Sequence, residues 1–416
     1  LPLGADPHPV RLVRPPAAPL SAMAQLGRAI FFDRTLSSSG RLSCASCHSP
    51  QHAYGPPGDA PVMNGGATLL RPGVRAVPSL TYLERQPNFS VGPDDAEREG
   101  ASPSAVTPSA AAGRAQKTQA DAAQSAANLV PQGGLFWDGR ADTLQSQAVG
   151  PLLNPLEMDG HSVAAVAAKL RRAPYAASLR ALFGAQILAR AQLLVAEATF
   201  AVARYQIEDP AFHPYTSKYD YWLEGKAQLT PAELRGYRLF NDPKRANCAG
   251  CHLDQPAADG QPPSFTDHQF EALGVPRNAK LAVNRDPAYF DLGICGPLRA
   301  DMRTQTQDCG MFLTPTLRNV ATRHAFFHNG VYHSLGQVLD FYDFRDTRPQ
   351  RVYPRGRNGA PAKFDDLPPA YRANVDTLDP PFDRRLGAPA VMSRSEERDV
   401  IAFLRTLTDG FRPSSR

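Results

Sequence analysis

Two copies of one five-residue pattern govern what this chain can fold into: Cys44-Ala45-Ser46-Cys47-His48 and Cys248-Ala249-Gly250-Cys251-His252. Cys-x-x-Cys-His is the attachment signature of a c-type haem. The thiols add to the vinyl groups and the adjacent imidazole is placed as the proximal iron ligand, so one short turn has to meet both the porphyrin edge and the iron axis. A lone Cys-x-x-Cys would read as a redox pair or half of a zinc site. A histidine directly after the second cysteine, twice in one chain, points instead to two covalently bound haem c groups, held by Cys44, Cys47 and His48 and by Cys248, Cys251 and His252.

The remaining bounds fit that reading. A chain of 416 residues is long enough for two or three domains with their own cores. Of six cysteines, four sit in the motifs, and Cys295 and Cys309 remain. They flank a Gly/Pro/Asp-rich stretch and could form a disulfide in an oxidising compartment or stay as two buried thiols. Covalent haem attachment points to a periplasmic protein, and Leu1-Pro2-Leu3-Gly4 reads as a mature start after signal-peptide removal. No run of eighteen apolar residues exists, so no membrane span is expected. The net charge of +5 is modest, and haem propionates (about four charges for two haems) would offset most of it, which leaves nucleic-acid binding without support.

Each motif sits in a similar setting, a weak internal repeat. Leu26-Gly27-Arg28-Ala29-Ile30-Phe31 precedes the first and Arg235-Gly236-Tyr237-Arg238-Leu239-Phe240 the second; both place an aromatic four residues after a glycine on an amphipathic helix. The second helix opens with Thr230-Pro231-Ala232-Glu233, a capping box with proline in the first turn. Apolar periodicity predicts further helices over Ser162–Leu170, Ile187–Tyr205, Leu335–Phe344 and Ser395–Leu407. The expected fold is all-α: two cytochrome c-like haem domains, 21–208 and 230–416, joined by a linker over 209–229. An N-terminal extension covers 1–20. Forty prolines between helices predict long ordered loops, and the Ala/Ser/Gln/Gly-rich stretch 92–127 reads as a flexible insertion.

Proximal ligation does not separate an electron carrier from an enzyme; the distal side does. None of the ten histidines falls between His52 and His161, where the first haem's distal side would be built. Met63 and Met158 could ligate there. Without them the iron keeps an open position.

At this point the chain resembles a family. Leu313-Thr314-Pro315-Thr316-Leu317-Arg318-Asn319-Val320, then His328-Asn329-Gly330 and Leu335, and Phe136-Trp137-Asp138-Gly139-Arg140, are similar to the bacterial di-haem cytochrome c peroxidases and MauG. The resemblance covers nearly the whole chain except the insertion and the extreme ends. It implies a peroxide pocket of glutamine, proline and glutamate spaced four and then six apart, matched by Gln147, Pro151 and Glu157. Glu157 would take a proton from the near peroxide oxygen and return it to the leaving hydroxide, a task worth about 10² to 10⁴ in rate. Trp137 matches the tryptophan between the haems. On the far side of the second haem the peroxidases use methionine and MauG tyrosine. Tyr342 falls on that position, with Met302 and Met311 as competing ligands. A phenolate would suit a haem that stores oxidising equivalents.

Three departures matter. The loop histidine that gates the classical peroxidases has no counterpart, as in MauG, so competence in the resting ferric state is expected. The asparagine of the family's inter-haem calcium site is replaced by Ala76, which leaves calcium in doubt although carbonyls near Arg323 and Ala325 remain. MauG's tryptophan two residues before the second motif is Ala246 here. The leading expectation is a hydrogen peroxide-dependent di-haem oxidase resembling MauG, forming high-valent haem and oxidising a partner protein's side chain at a distance. The alternatives are a peroxidase drawing electrons from a small cytochrome c or copper protein, and a plain electron-transfer cytochrome.

Overall fold

The computed structural model describes residues 4–93 and 129–413. The expected insertion therefore lies outside the described residues apart from residues 92 and 93. Among the described residues the ordered elements are mainly helical, with three two-stranded antiparallel ribbons: Asn64–Gly65 with Arg71–Pro72, Ser90–Pro93 with Leu129–Gln132, and Phe270–Glu271 with Phe312–Leu313. None of these helices is long and apolar enough to cross a membrane.

Two helix crossings organise the two halves, and both depend on a glycine. In the first half the helix Ala22–Phe31 crosses Ala191–Glu208; in the second, Pro231–Phe240 crosses Arg394–Arg405. A Cβ at Gly27 would stand 1.8 Å from the Ala201 carbonyl oxygen, and one at Gly236 2.0 Å from that of Asp399. Only glycine lets backbone meet backbone this closely. One helical turn further on, Phe31 and Phe240 are each 1% exposed and enter their respective cores. The glycine-plus-four aromatic is thus a crossing point followed by a core anchor.

The flanking helices begin where their caps dictate. Ser162 accepts from the Ala165 amide ahead of Val163–Leu170, and Thr230 and Glu233 close a reciprocal box at the start of Pro231–Phe240. Leu335–Phe344 has the expected bounds. The last helix starts at Arg394 because Ser393 and Glu396 form the capping box. The helix expected from Ile187 begins at Ala191, after a 3-10 turn over Ala185–Ala189. Two more helices, Leu144–Leu153 and Ala176–Phe183, complete the first half.

Two connections tie the halves together. The stretch expected as a linker contains the helix Lys218–Leu223, whose Tyr219, Trp222 and Leu223 pack in the second core. Residues 4–14 also dock on the second half. Leu229 N–H and Trp222 Nε1 both donate to the Gly4 carbonyl at 2.9 Å, Val10 N–H donates to Leu223, and Leu12 enters the core. Arg14 grips both Glu224 oxygens at 2.8 and 2.9 Å.

The crossings yield a direct test. Gly236→Ala should cost about 1–3 kcal/mol through overpacking, read as a lower urea midpoint. Gly336→Ala is the control: its Cβ would meet only the Ser334 hydroxyl, at 3.9 Å, so its midpoint should hold or rise.

Candidate functional site

Both Cys-x-x-Cys-His motifs fold as one tight turn: Cys44–Cys47 as a single helical turn and Cys248–Gly250 as a 3-10 turn. In each the histidine amide donates back to the first cysteine's carbonyl at 2.9 Å. The imidazoles are then held alike. His48 Nδ1 lies 3.1 Å from the Tyr54 carbonyl oxygen and His252 Nδ1 3.0 Å from that of Phe265. Those carbonyls are in turn fixed by a second donor each, the amides of Leu80 and Leu317. The hydroxyls of Ser79 and Thr316 bond the preceding carbonyls, Ala53 and Ser264. Pro78-Ser79-Leu80 and Pro315-Thr316-Leu317 thus perform the same task in the two halves.

The electrostatics suit covalent haem. Burial pushes the Cys44 and Cys248 thiols up to about 12, and burial with Glu157 pushes Cys47 up to about 11. Burial also drives His48 down to about 4 and lowers His252, so both rings are neutral at pH 7. A neutral imidazole whose Nδ1 faces a carbonyl is oriented to offer its other nitrogen to a metal. Neither cysteine pair is bridged, and among the described residues no third His, Cys, Asp or Glu converges to make a zinc site. The residues present fit two haem c groups.

One largely apolar cavity runs along the seam between the halves. Its wall includes Gln147 and Trp137 from the first half and Cys248, Cys251, His252 and Tyr342 from the second. Trp137 is set by its surroundings: Nε1 donates to the Ala76 carbonyl at 2.8 Å, and its own carbonyl accepts from Leu313. Beside it Asp138 is fully buried and takes both Arg75 and Arg140. Arg75 also forms a two-pronged pair with Asp291, with both contacts at 2.7 Å, and holds the Asp291 carboxyl below its usual range although burial opposes this. Phe136-Trp137-Asp138-Gly139-Arg140 is therefore a corner locked across the seam by ion pairs.

Tyr342 stacks on Phe382 at 5.4 Å between centroids, and burial raises its phenol well above the ordinary value. Met302 and Met311 pack elsewhere, in a small core around the disulfide that joins Cys295 and Cys309. Met158 lies in the first hydrophobic core, 6% exposed. Glu157 stands apart from the cavity wall but acts on Cys47. It accepts from Asn154 Nδ2 at 2.9 Å, and burial raises its pKa against the opposing pull of Arg140 and Asn154. Pro151 sits inside the helix Leu144–Leu153, and its carbonyl accepts from the Met158 amide, one residue past Glu157.

The calcium ligands implied by the resemblance do not fit. Ala76 has no side-chain oxygen, and beside Arg323 the Ala325 carbonyl already faces a cation, the Arg323 guanidinium, whose Nη2 lies 3.4 Å from it and 2.8 Å from the Val77 carbonyl. Sequence reasoning missed this arginine as a site residue, because nothing in its local pattern indicates that it crosses the seam.

The chain resembles known proteins along nearly all of its length. A family model described as di-haem cytochrome c peroxidase matches residues 21–228. The methylamine utilization protein MauG of Paracoccus denitrificans is 32% identical over 394 residues, spanning 93% of this chain and 89% of that protein. Cytochrome c551 peroxidase of Nitrosomonas europaea is 29% identical over 334 residues, spanning 80% and 75%. The solved structure of the diheme peroxidase BthA from Burkholderia thailandensis matches with a TM-score of 0.78 at 34% identity, across 98% of this chain and 94% of that one.

The locked corner predicts a pH-dependent loss. Arg75→Leu leaves Asp138 and Asp291 buried without their shared cation, a cost of about 3–5 kcal/mol near neutral pH. Asp291 is depressed in the folded state. Its contribution is therefore complete above the unfolded aspartate value, about 3.9, and fades as pH falls through the lower folded value. The gap in urea midpoint between wild type and variant should narrow as the pH is lowered toward 3; a gap independent of pH would remove the electrostatic account.

Proposed function

Because this chain belongs to the di-haem cytochrome c peroxidase family, and is thus a peroxidase-type oxidoreductase, we propose that it is a hydrogen peroxide-dependent di-haem oxidase resembling MauG. It acts in the periplasm on a partner protein. The observation that carries the reading is the shared cavity. Trp137 and Gln147 from one half, and His252 and Tyr342 from the other, line one apolar space. In this reading residues 21–208 and 230–416 are cytochrome c-like haem domains, with 1–20 as an extension and 209–229 as the connection.

His48 and His252 would hold the two haem irons, and Cys44, Cys47, Cys248 and Cys251 would carry the thioether bonds. Haem, when bound, supplies the iron that takes up peroxide and the means to hold two oxidising equivalents. The chain supplies the rest. Glu157, partly buried and held on one oxygen by Asn154, keeps its other oxygen for a proton. Its raised pKa brings it closer to the working pH of a group that must both accept and return a proton. Gln147 offers an amide on the cavity wall. Pro151 fixes the turn that leads to Glu157. Trp137 provides a polarisable bridge between the halves, and Tyr342 would help to hold the second haem. Reducing peroxide to two waters takes two protons and two electrons, and the electrons come from the partner's side chain.

A second reading has support from the relative named cytochrome c551 peroxidase. In it, a small cytochrome c or copper protein provides the electrons. Steady-state oxidation of such a reduced donor in the presence of peroxide separates the two.

Two variants test the residues. Glu157→Gln should slow the stopped-flow reaction with peroxide by about 10² to 10⁴ while both haems stay attached. The wild-type limb that titrates above the usual carboxylate range should vanish with it. An unchanged rate would end the acid–base role. Tyr342→His should alter the optical and low-temperature EPR spectra of one haem only; identical spectra would mean that tyrosine is not a ligand. In the wild type, EPR should display one high-spin and one low-spin ferric haem, both lost on adding peroxide without prior reduction.

A further inference from the structure

A buried guanidinium needs compensation, since an isolated charge in a low-dielectric interior is strongly unfavourable. Other buried arginines obey this: Arg75 has Asp138 and Asp291, Arg299 has Asp301, Arg318 has Asp220, and Arg345 has Asp346. Arg323 does not. Among the described residues no carboxylate acts on it, and burial alone pushes it down to about 10, still charged at neutral pH. Its hydrogen bonds go to carbonyls, from the second half across to Val77 in the first and to Ala325 in its own.

Three features of its position matter. Arg323 lines the seam cavity. Its charge reaches the His48 imidazole, which it helps to keep neutral. The peptide it grips follows Ala76, whose carbonyl holds the Trp137 indole. A cation fixed there lies beside both the first proximal ligand and the residue between the two centres. Carboxylates such as Asp291 and Asp366 also line the cavity, but they face Arg75 and Arg277.

We propose that Arg323 is the built-in cation of the seam: it fills the carbonyl cradle that a divalent metal would otherwise need, pairs with a haem propionate carboxylate in the cavity, and raises the reduction potential of the haem on His48. This rests on the two-haem reading above. The physical effect has a definite sign. A positive charge beside an iron centre disfavours the oxidised, more positive state, so it favours reduction. Arg323 acts through charge and position, not by touching the reacting atoms; it is a positioning residue. No soluble metal is required, and the seam's charge does not vary with external calcium.

The test uses the holoprotein, with a pyridine haemochrome count first. A wild-type count below two would overturn the two-haem reading and this proposal with it. Spectroelectrochemical titration then follows each haem, the two being distinguished by spin state. In Arg323→Gln, the ratio of reduced to oxidised first haem at the wild-type midpoint should fall at least tenfold, about 59 mV for a one-electron couple, with the second haem moved less. Arg323→Lys, which keeps the charge, should stay within threefold of wild type. Exchange of wild type into EGTA, or addition of calcium chloride, should leave both midpoints in place. An unmoved first-haem midpoint in Arg323→Gln overturns the proposal, as does a wild-type midpoint shifted by EGTA. Should Arg323→Gln fail to acquire both haems, the lysine variant and the EGTA exchange decide by the same criteria.

Discussion

Everything in this molecule hangs on a carbonyl oxygen that serves two donors. Tyr54 and Phe265 each offer one lone pair to a histidine ring and another to the amide of a leucine in a distant Pro-Ser/Thr-Leu segment. Both residues have positive φ, 51° and 54°, which turns the carbonyl toward the ring. For a bulky residue this conformation costs of order 1–3 kcal/mol. The shared hydrogen bond offsets that cost and converts a flexible imidazole into an aimed one. Ring direction, tautomer and the path of the following loop are set together in each half.

From those two anchors the rest follows by packing. The glycine crossings bring the first and last helices of each half into backbone contact, and the aromatic one turn later fills the space behind the motif. Charged and polar contacts cross the seam. Arg75 bridges two aspartates, and Arg318 is clasped by Asp220 in an aromatic cage that includes Tyr82 of the first half. Tyr82 and Asn319 also bond the same aspartate, Asp409. Such pairs orient surfaces with high specificity, because a misplaced partner leaves a buried charge exposed to nothing. The position of Trp137, bonded to Ala76 in one half and Leu313 in the other, depends on that fixed orientation.

Much of this was legible in the residues. The motifs, the glycine-plus-four aromatics and the Thr230–Glu233 box name their structures directly, since each is a local rule with a local cause. The helix Leu144–Leu153 was not legible: it holds Pro151 in its interior, where proline removes a backbone hydrogen bond, so its local pattern does not announce a helix. The helix Lys218–Leu223 was hidden in a stretch whose prolines and polar residues suggested a connection. The ribbons are too short to leave an alternating pattern. Arg323 was out of reach for a different reason, because its partners lie 246 residues away at Val77 and two residues away at Ala325. The spacing of Gln147, Pro151 and Glu157 acquired meaning only through resemblance.

The docking of residues 4–14 on the second half has a consequence for how the molecule comes to be. That segment is made before either motif, but its binding surface, from Tyr215 to Gly260, is made after the whole first half. During vectorial synthesis or export it has to wait, unpaired, while some two hundred residues follow it. Contacts of such long sequence separation form late and slowly. The strap therefore closes only on a chain whose second half has been delivered and begun to fold, which makes it a latch on completed assembly.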